Sequence, residues 1–316
     1  MMPAFFKTPI LFLIFNRPDT TQVVFDQIKK LRPKYLFVAA DGAREWVAGE
    51  KVKCDKTREI IKEVNWHCEV KTLFRDKNLG CGVAVSSAIS WFFEQVAEGI
   101  ILEDDCFPDV SFFPFCQELL SKYRNTDQVK LIGGNNFQDG KRRGSGSYYF
   151  SHYPEIWGWA SWRRAWDNYD FNMTGLDESF ASGYMNEIFE SSKERNYWNE
   201  KFLQAKNGKT NTWDYQLMYS ILKNKGVAIS PQVNLVANIG IDNNPTHLSL
   251  RDSKKDLKIN TLSFPLLHPP LVIDKTADHY TFSQIYSRSP RRLLRLMREN
   301  GARNFLLYTL NQFQNR

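Results

Sequence analysis

The sequence predicts an α/β fold with a mostly parallel central sheet, because strand and helix signals alternate through its first 135 residues. Short apolar runs indicate buried strands, and amphipathic patterns between them indicate helices. Strands separated by helices form βαβ units, whose strands lie parallel. The predicted strands are Ile10–Phe15, Tyr35–Ala39, Glu69–Phe74, Gly99–Leu102 and Lys130–Ile132, and the predicted helices are Thr20–Leu31, Lys56–Glu63, Val83–Val96 and Ser111–Tyr123.

The second half of the chain continues with weaker signals. Asp19 and Thr20 are candidate caps for the first helix, because short polar side chains satisfy the backbone N–H groups at helix starts. Further along, a polar helical stretch is predicted at 183–205, an apolar helix after Trp213, and strands at 227–230 and 233–237.

Composition indicates a folded protein with a full core and free thiols. Of its 316 residues, 42% are hydrophobic, and no apolar run reaches the ~20 residues that span a bilayer. The apolar run 9–15 ends at Asn16 and Arg17, so it is predicted to be a buried strand and not a signal peptide. Five cysteines without CxxC spacing predict a reducing, cytoplasmic location, with neither a zinc site nor a disulfide framework.

The positive charge is concentrated at the end of the chain. Seven arginines and one glutamate lie in 288–316, so the remaining 35 basic and 34 acidic residues nearly balance, which is not the profile of a nucleic-acid-binding core. Leucines and phenylalanines alternate with these arginines, so 251–316 is predicted to be a C-terminal extension with a basic amphipathic helix. Such a helix either lies on an anionic membrane surface or packs on the domain or on a second subunit.

Three consecutive carboxylates, Glu103, Asp104 and Asp105, directly follow an apolar strand. Strands are depleted in Asp and Glu, and burying unpaired carboxylates is costly. A divalent cation such as Mg²⁺ or Mn²⁺ would compensate, since it binds one or two carboxylates together with substrate phosphates. The alternative is a solvated acidic turn.

Other polar clusters also follow predicted strands, namely Asn16–Arg17, Asp41–Gly42 and Arg75–Asp76. In open parallel sheets ligands bind at the carboxyl ends of the strands, so these clusters and the carboxylates are expected to converge on one rim. That convergence favours the metal site. Neither GxGxxG after the first strand nor GxxxxGK[ST] is present, which excludes a Rossmann dinucleotide site and a P-loop.

Four tryptophans lie within residues 155–166. Indole faces stack well on sugar rings, although buried tryptophan clusters are also ordinary core. Trp157 or Trp159 is expected to line a sugar or acceptor pocket, whereas Trp162 and Trp166 are expected in the core.

Taken in order, several motifs resemble those of the GT-A class of nucleotide-sugar glycosyltransferases. More narrowly, they resemble bacterial relatives of the N-acetylglucosaminyltransferase that initiates complex N-glycan branching. The resemblance covers about residues 9–247 and rests on Asn16-Arg17-Pro18, Asp41-Gly42, Asn78-Leu79-Gly80, Glu103-Asp104-Asp105, Phe112-Phe113, Trp157-Gly158-Trp159, Trp213-Asp214, and Pro231 before Asn238.

The resemblance implies roles for individual residues. Asp105 is the metal ligand of a DxD-type motif, Asp104 faces ribose or metal-bound water, and Glu103 is structural support. Arg17 approaches the nucleotide phosphates or base. The donor nucleotide is further expected to contact Asp41 at the uracil edge and the two residues Arg75 and Asn78.

The same resemblance places the catalytic base near Trp213. Asp214 matches an acidic residue of a Trp-Asp-Asp segment, but Tyr215 occupies the second acidic position, so the match is incomplete. Asp214 is therefore either the base or the cap of the helix that follows. His247 lies in the stretch where relatives place a loop over the donor, and it is either a metal or phosphate contact or a plain loop histidine.

The expected fold is therefore a GT-A-like three-layer α/β domain. Residues 1–135 form its nucleotide-sugar-binding half and 136–250 its acceptor-binding half. The expected activity is inverting transfer of a hexosyl or N-acetylhexosaminyl group from a UDP-sugar to a glycan or lipid-linked acceptor, with Mn²⁺ or Mg²⁺ as the cofactor. The expected role is in bacterial surface polysaccharide or lipopolysaccharide synthesis, in the cytoplasm or at the inner face of the cytoplasmic membrane. The alternatives are a sugar-nucleotide nucleotidyltransferase and a non-catalytic carbohydrate-binding protein.

Overall fold

The computed structural model describes residues 6–240 and 258–287 of the chain. Ten strands are named in this part: β1 (Ile10–Ile14), β2 (Tyr35–Ala40), β3 (Glu69–Phe74), β4 (Glu98–Glu103), β5 (Cys106–Pro108), β6 (Val129–Gly133), β7 (Tyr148–Ser151), β8 (Trp159–Trp162), β9 (Val227–Pro231) and β10 (Val236–Asn238). Its helices are α1 (Pro18–Leu31), α2 (Glu50–Glu59), α3 (Gly80–Gln95), α4 (Phe112–Lys122), α5 (Arg163–Trp166), α6 (Leu176–Ala181), α7 (Tyr184–Ile188), α8 (Ser192–Lys206), α9 (Asp214–Lys223) and α10 (Lys275–Thr281).

Eight strands form one central sheet in the order β3-β2-β1-β4-β8-β6-β9-β7. The pairs β3–β2, β2–β1, β1–β4 and β6–β9 are parallel, whereas β8 is antiparallel to both of its neighbours and β7 is antiparallel to β9. A small antiparallel pair, β5–β10, lies beside the sheet. The predicted α/β class with a mostly parallel sheet is confirmed.

Helices cover both faces of the sheet, and its inner strands are apolar on both sides. Along β1, Ile10, Phe12 and Ile14 pack into one hydrophobic cluster, and Leu11 and Leu13 pack into the other. This is the pattern of a parallel strand buried between two helical layers. The three-layer arrangement leaves the ends of the strands as the edge where polar residues can collect.

Several boundary predictions are wrong, and the first two helices are examples. The first helix begins at Pro18, so Asp19 and Thr20 lie inside its first turn and neither is its cap. The second helix begins at Glu50 and not at Lys56, since its first turns are polar and carry no apolar period. The Glu50 carboxylate is nevertheless buried, which the pattern did not indicate.

None of the helices in the described part of the chain is long and apolar enough to cross a membrane. The predicted basic amphipathic helix of 288–316 lies outside the described residues, and so does His247. Both remain predictions.

Candidate active site

A cleft of about 480 Å³ lies at the carboxyl ends of β1 to β4. Each of the four strands contributes polar residues to its wall, so the convergence predicted from the strand ends is confirmed. The polar and aromatic lining consists of Phe15, Arg17, Asp41, Arg44, Trp46, Arg75, Asn78, Glu103, Asp104 and Asn211. The remaining lining is largely apolar.

The carboxylate end of the cleft is organised around Arg17. Its Nη1 atom lies 2.5 Å from Oδ2 of Asp105 and 3.7 Å from Oδ1 of Asp104. The other oxygen of Asp104 accepts a hydrogen bond of 3.1 Å from the backbone N–H of Phe15. β1 and β4 are adjacent, with Leu13 opposite Glu103, which is why the residues after the two strands meet.

Carboxyl groups outnumber positively charged groups among these side chains. Burial, followed by repulsion from the neighbouring carboxylates, raises the pKa of Glu103 well above its usual range. Burial also raises the pKa of Asp104, although Arg17 opposes the shift. One guanidinium thus faces three carboxyl groups, and the raised pKa values mean that the cluster favours added positive charge, which either a proton or a metal cation can supply.

The backbone of Gly240 lies against the Arg17–Asp105 ion pair. A Cβ atom at this position would lie 2.3 Å from Arg17 Nη1 and 2.5 Å from Asp105 Oδ2. The chain is held there by a 2.8 Å hydrogen bond from Ile239 N to the Asp105 carbonyl and by the β5–β10 pairing. Only glycine allows the backbone to approach this closely.

At the opposite end of the cleft, Asp41 holds the segment that leads into α3. Its carboxylate accepts hydrogen bonds of 3.0 to 3.1 Å from Asn78 Nδ2 and from the backbone N–H groups of Leu79 and Gly80. The N–H of Gly42 donates to the same carboxylate at 3.0 Å. Two carboxylate oxygens accept about four hydrogen bonds, so Asp41 is largely occupied by donors of the protein itself, chiefly those of the segment after β3.

The predicted contact of Asp41 with the uracil edge stays a prediction. The structure gives the carboxylate a positioning role, in which it fixes Asn78 and the start of α3 beside the cleft. Arg75 lines the same end, and its Nη2 atom donates to Ser87 Oγ at 2.8 Å. Desolvation lowers the pKa of Arg75 from its usual value.

Glu50 is a site residue that the sequence analysis missed. It is 2% exposed, and it accepts hydrogen bonds from Asn16 Nδ2 at 2.7 Å and from Arg44 N at 2.7 Å. The Arg44 guanidinium also donates to it, and these bonds hold the pKa of Glu50 below its usual value. Movement of the loop would leave the buried Glu50 carboxylate without its partners, so this contact fixes the loop after β2. No pattern in residues 42–50 distinguishes Glu50 from a solvated glutamate.

Asp214 begins α9 and lies near the carboxylate end of the cleft, although it is not among the residues that line the cleft. Its charge contributes to the raised pKa of Glu103, which shows that the two carboxyl groups are close enough to interact. Thr212 Oγ1 and the backbone N–H of Tyr215 both donate to Asp214 Oδ1. Asp214 is the first helical residue and Trp213 occupies the N-cap position, so Asp214 is not the N-cap of α9.

The predicted sugar-binding tryptophans belong to the core. Trp159 is 1% exposed and stacks on Trp213, with ring centroids 5.8 Å apart. This packing holds Trp213 in place directly before Asp214. Trp157 is buried and packs edge-on against Phe137 at 5.2 Å. Neither lines the cleft, so their predicted contact with an acceptor gains no support. Trp162 and Trp166 are buried, as predicted.

The donor set suits a hard divalent cation. Over residues 6–240 and 258–287, no three His, Cys, Asp or Glu side chains already converge as a ligand cage. Mg²⁺ and Mn²⁺ do not need a cage of three protein ligands, because they commonly bind one or two carboxylates and complete their coordination shell with phosphates and water. Asp104 and Asp105 supply such oxygens within a cluster that favours added positive charge, so the residues present fit the ion.

No family model matches the chain, and no curated protein matches it. Among solved structures, the chain is similar to HddC from Yersinia pseudotuberculosis, with 10% identity, a TM-score of 0.30, and 50% of this chain and 77% of that chain covered. It is also similar to TarS 1–349 from S. aureus, with 8% identity, a TM-score of 0.33, and 49% and 47% covered. A third is 4-diphosphocytidyl-2C-methyl-D-erythritol synthase from Anaerococcus prevotii, with 7% identity, a TM-score of 0.31, and 55% and 77% covered. The assignment of function therefore rests on the cleft itself.

Proposed function

We propose that this protein is a metal-dependent, inverting glycosyltransferase that moves a hexosyl or N-acetylhexosaminyl group from a UDP-sugar to a glycan or lipid-linked acceptor. The observation that supports the proposal is that the ends of four strands form one cleft. Glu103, Asp104 and Arg17 line its β4 side, with Asp105 behind them as the ion-pair partner of Arg17, and its β2–β3 side holds Arg75, Asn78 and an exposed aromatic ring. A nucleoside diphosphate has this division between a charged end and a planar end.

The charged end would bind the diphosphate. Asp105, with Asp104 beside it, would hold a Mn²⁺ or Mg²⁺ ion, which when bound neutralises the diphosphate leaving group as a Lewis acid. Arg17 contributes the second positive charge. Its guanidinium already lies among these carboxylates, so it is placed to donate hydrogen bonds to phosphate oxygens.

Asp214 is the proposed base. An acceptor hydroxyl must lose a proton as it attacks the anomeric carbon, and one carboxylate on the far side of the donor sugar performs this task. The hydrogen bonds from Thr212 and Tyr215 fix the carboxylate's orientation, and Trp159 stacks beneath Trp213 to hold the start of α9 in place. Direct attack from that side inverts the anomeric configuration.

The acceptor and the cellular site are part of the proposal and rest on the sequence. A lipid-linked acceptor in surface polysaccharide synthesis agrees with a basic amphipathic segment at 288–316 that binds the inner membrane surface. Flotation of the full chain with anionic liposomes tests this, and a protein lacking 288–316 is its matched control. Equal flotation of both proteins would contradict membrane binding through this segment.

The central experiment is thermal-shift binding with UDP, in the presence and in the absence of Mn²⁺, followed by a screen of UDP-sugars for hydrolysis. UDP should raise the melting temperature strongly only with Mn²⁺ present, and Asp105→Asn should abolish the metal-dependent part. Val52→Ala, on the exposed side of α2 and away from the cleft lining, is the control.

The outcomes separate the proposal from its alternatives. Release of UDP from a UDP-sugar supports the glycosyltransferase, whereas formation of pyrophosphate from a nucleoside triphosphate and a sugar phosphate indicates a nucleotidyltransferase. A protein that binds sugars but shows no effect of UDP with Mn²⁺ is a carbohydrate-binding protein.

A further inference from the structure

Trp46 differs from the other tryptophans of the chain. It is 78% exposed, whereas the other eight tryptophans are buried or half-buried. It nevertheless lines the cleft, beside Arg44 and Asp41. A large aromatic side chain left open to water at the wall of a polar cleft is placed for contact with a ligand, because aromatic rings are typical anchors in binding sites.

The loop that carries Trp46 is rigidly supported. Trp46 lies in a turn closed by a 3.1 Å hydrogen bond from Val47 N to the Arg44 carbonyl. The buried Glu50 carboxylate ties Arg44 to Asn16, which lies two residues after the end of β1. The Arg44 guanidinium also lies 5.8 Å from the centre of the Phe15 ring. The exposed ring is thus held at the cleft by contacts that do not involve the indole itself.

The position of Trp46 along the cleft determines which part of a bound nucleotide lies near its indole ring. Trp46 follows β2, while the carboxylates follow β4, and β1 lies between these two strands. Strands in a sheet are about 4.8 Å apart, so the two ends of the cleft are separated by about 10 Å. A diphosphate bound near Asp105 and Arg17 places the nucleoside toward Arg75, Asn78 and Trp46.

We infer that Trp46 is a stacking platform for the nucleobase of the donor nucleotide. This inference rests on the proposed function and adds a specific contact to it. Stacking on an indole is tolerant of base identity, because every base has a π-face. Trp46 therefore provides affinity for the nucleoside and does not choose between bases.

The test compares two ligands on purified full-length protein with Mn²⁺ present. UDP carries the base, and inorganic pyrophosphate carries only the phosphates. Trp46→Ala should weaken UDP binding about 5- to 150-fold, the range for loss of one aromatic–base stack, and leave pyrophosphate binding unchanged. Trp46→Phe should retain most of the affinity for UDP, and Val52→Ala should behave as wild type.

Tryptophan fluorescence gives a second readout. UDP should quench the emission of the wild-type protein, and the quenching should be largely lost in Trp46→Phe although UDP still binds. Pyrophosphate should quench little in either protein.

Three results would overturn the inference. Wild-type affinity of Trp46→Ala for UDP means that the ring does not contact the base. An equal loss of UDP and pyrophosphate binding means that the loop acts on the phosphates. If the wild-type protein binds pyrophosphate but not UDP, or binds neither ligand, it has no nucleotide site and the proposed function fails as well. Failure of the Trp46 inference alone is therefore distinguishable from failure of the proposed function.

Discussion

The Nη1 atom of Arg17 lies 2.5 Å from Oδ2 of Asp105, and this ion pair joins the ends of two adjacent strands. Burial alone would lower the pKa of Arg17, but the charges of Asp104 and Asp105 outweigh it and raise that pKa. The guanidinium therefore stays charged at any pH at which the protein is folded, and it is held where a diphosphate would need it.

Gly240→Ala should disturb this ion pair without unfolding the protein. The added Cβ would meet both side chains at 2.3 to 2.6 Å, so one of them must move. UDP binding with Mn²⁺ should weaken about tenfold or more, which corresponds to about 1.4 kcal/mol, as measured by calorimetry.

The matched control for this change is Gly208→Ala. Gly208 has a φ of 67° and no atom within 4 Å of an added Cβ, so alanine there costs about 1 kcal/mol of stability through its backbone alone. It should leave UDP binding unchanged. Unaltered binding by Gly240→Ala would contradict a role for the Arg17–Asp105 pair.

Asp214→Asn should remove the base and retain the shape of the site. Asparagine keeps one oxygen that can accept from Thr212 and Tyr215, so α9 should begin as before. The turnover number for sugar transfer should fall about 10²- to 10⁴-fold, while UDP affinity stays near wild type. Tyr215→Phe tests the neighbouring position and should transfer sugar normally. Full activity of Asp214→Asn would rule out Asp214 as the base.

Asp41→Asn should destabilise the nucleoside end of the cleft. In either orientation of the new amide, its NH₂ group would face N–H donors that now point at a carboxylate oxygen. The free energy of unfolding should fall by about 1–3 kcal/mol, measured by denaturant titration, and UDP should bind more weakly.

Asp55→Asn is the control for this substitution. Asp55 forms an exposed ion pair with Lys51 within α2, and such pairs contribute about 1 kcal/mol or less. If both variants lose the same stability, the hydrogen bonds to Asp41 are not what holds this loop.

The pH dependence of stability should carry a contribution from Glu194. Burial raises the pKa of this carboxyl to about 7 in the folded protein, although the Tyr153 hydroxyl donates to it. Between the ordinary pKa near 4.5 and 7, the folded state holds a proton that the unfolded chain releases. The free energy of unfolding should therefore fall as pH rises through this window.

Glu194→Gln should flatten that part of the profile, because the amide does not ionise. Glu200→Gln, on the exposed face of the same helix, should keep the wild-type profile. Denaturant midpoints measured from pH 4.5 to 8 test both variants. A Glu194→Gln profile as steep as wild type would show that another group is responsible.

The sequence was sufficient for β1, β2 and β4 because these strands are buried on both faces and appear in the sequence as short apolar runs. The rule that polar residues gather at strand ends then located Arg17, Asp41, Arg75 and the carboxylates on one rim. The hydrogen-bond partners of these residues were not predictable. Asn78 meets Asp41 across 37 positions of the chain, and only the folded loop brings them together.

Glu50 and β8 were missed for different physical reasons. Glu50 lies in a polar stretch, and a buried carboxylate is recognisable only with its partner Arg44 in place. β8 is a four-residue strand rich in tryptophan, and because indole faces stack on sugar rings its tryptophans suggested a pocket wall, whereas the structure places them inside the sheet.

The central place of β8 makes the two halves of the chain depend on each other for folding. Ile100 and Ile101 of β4 are fully buried, and they pair with Ala160 and Trp159 of β8. A fragment that ends at residue 135 would leave β4 with an open, apolar edge. Such edges recruit strands from other chains. Expression of the amino-terminal half alone is therefore expected to give aggregates, although that half contains most of the residues that line the cleft.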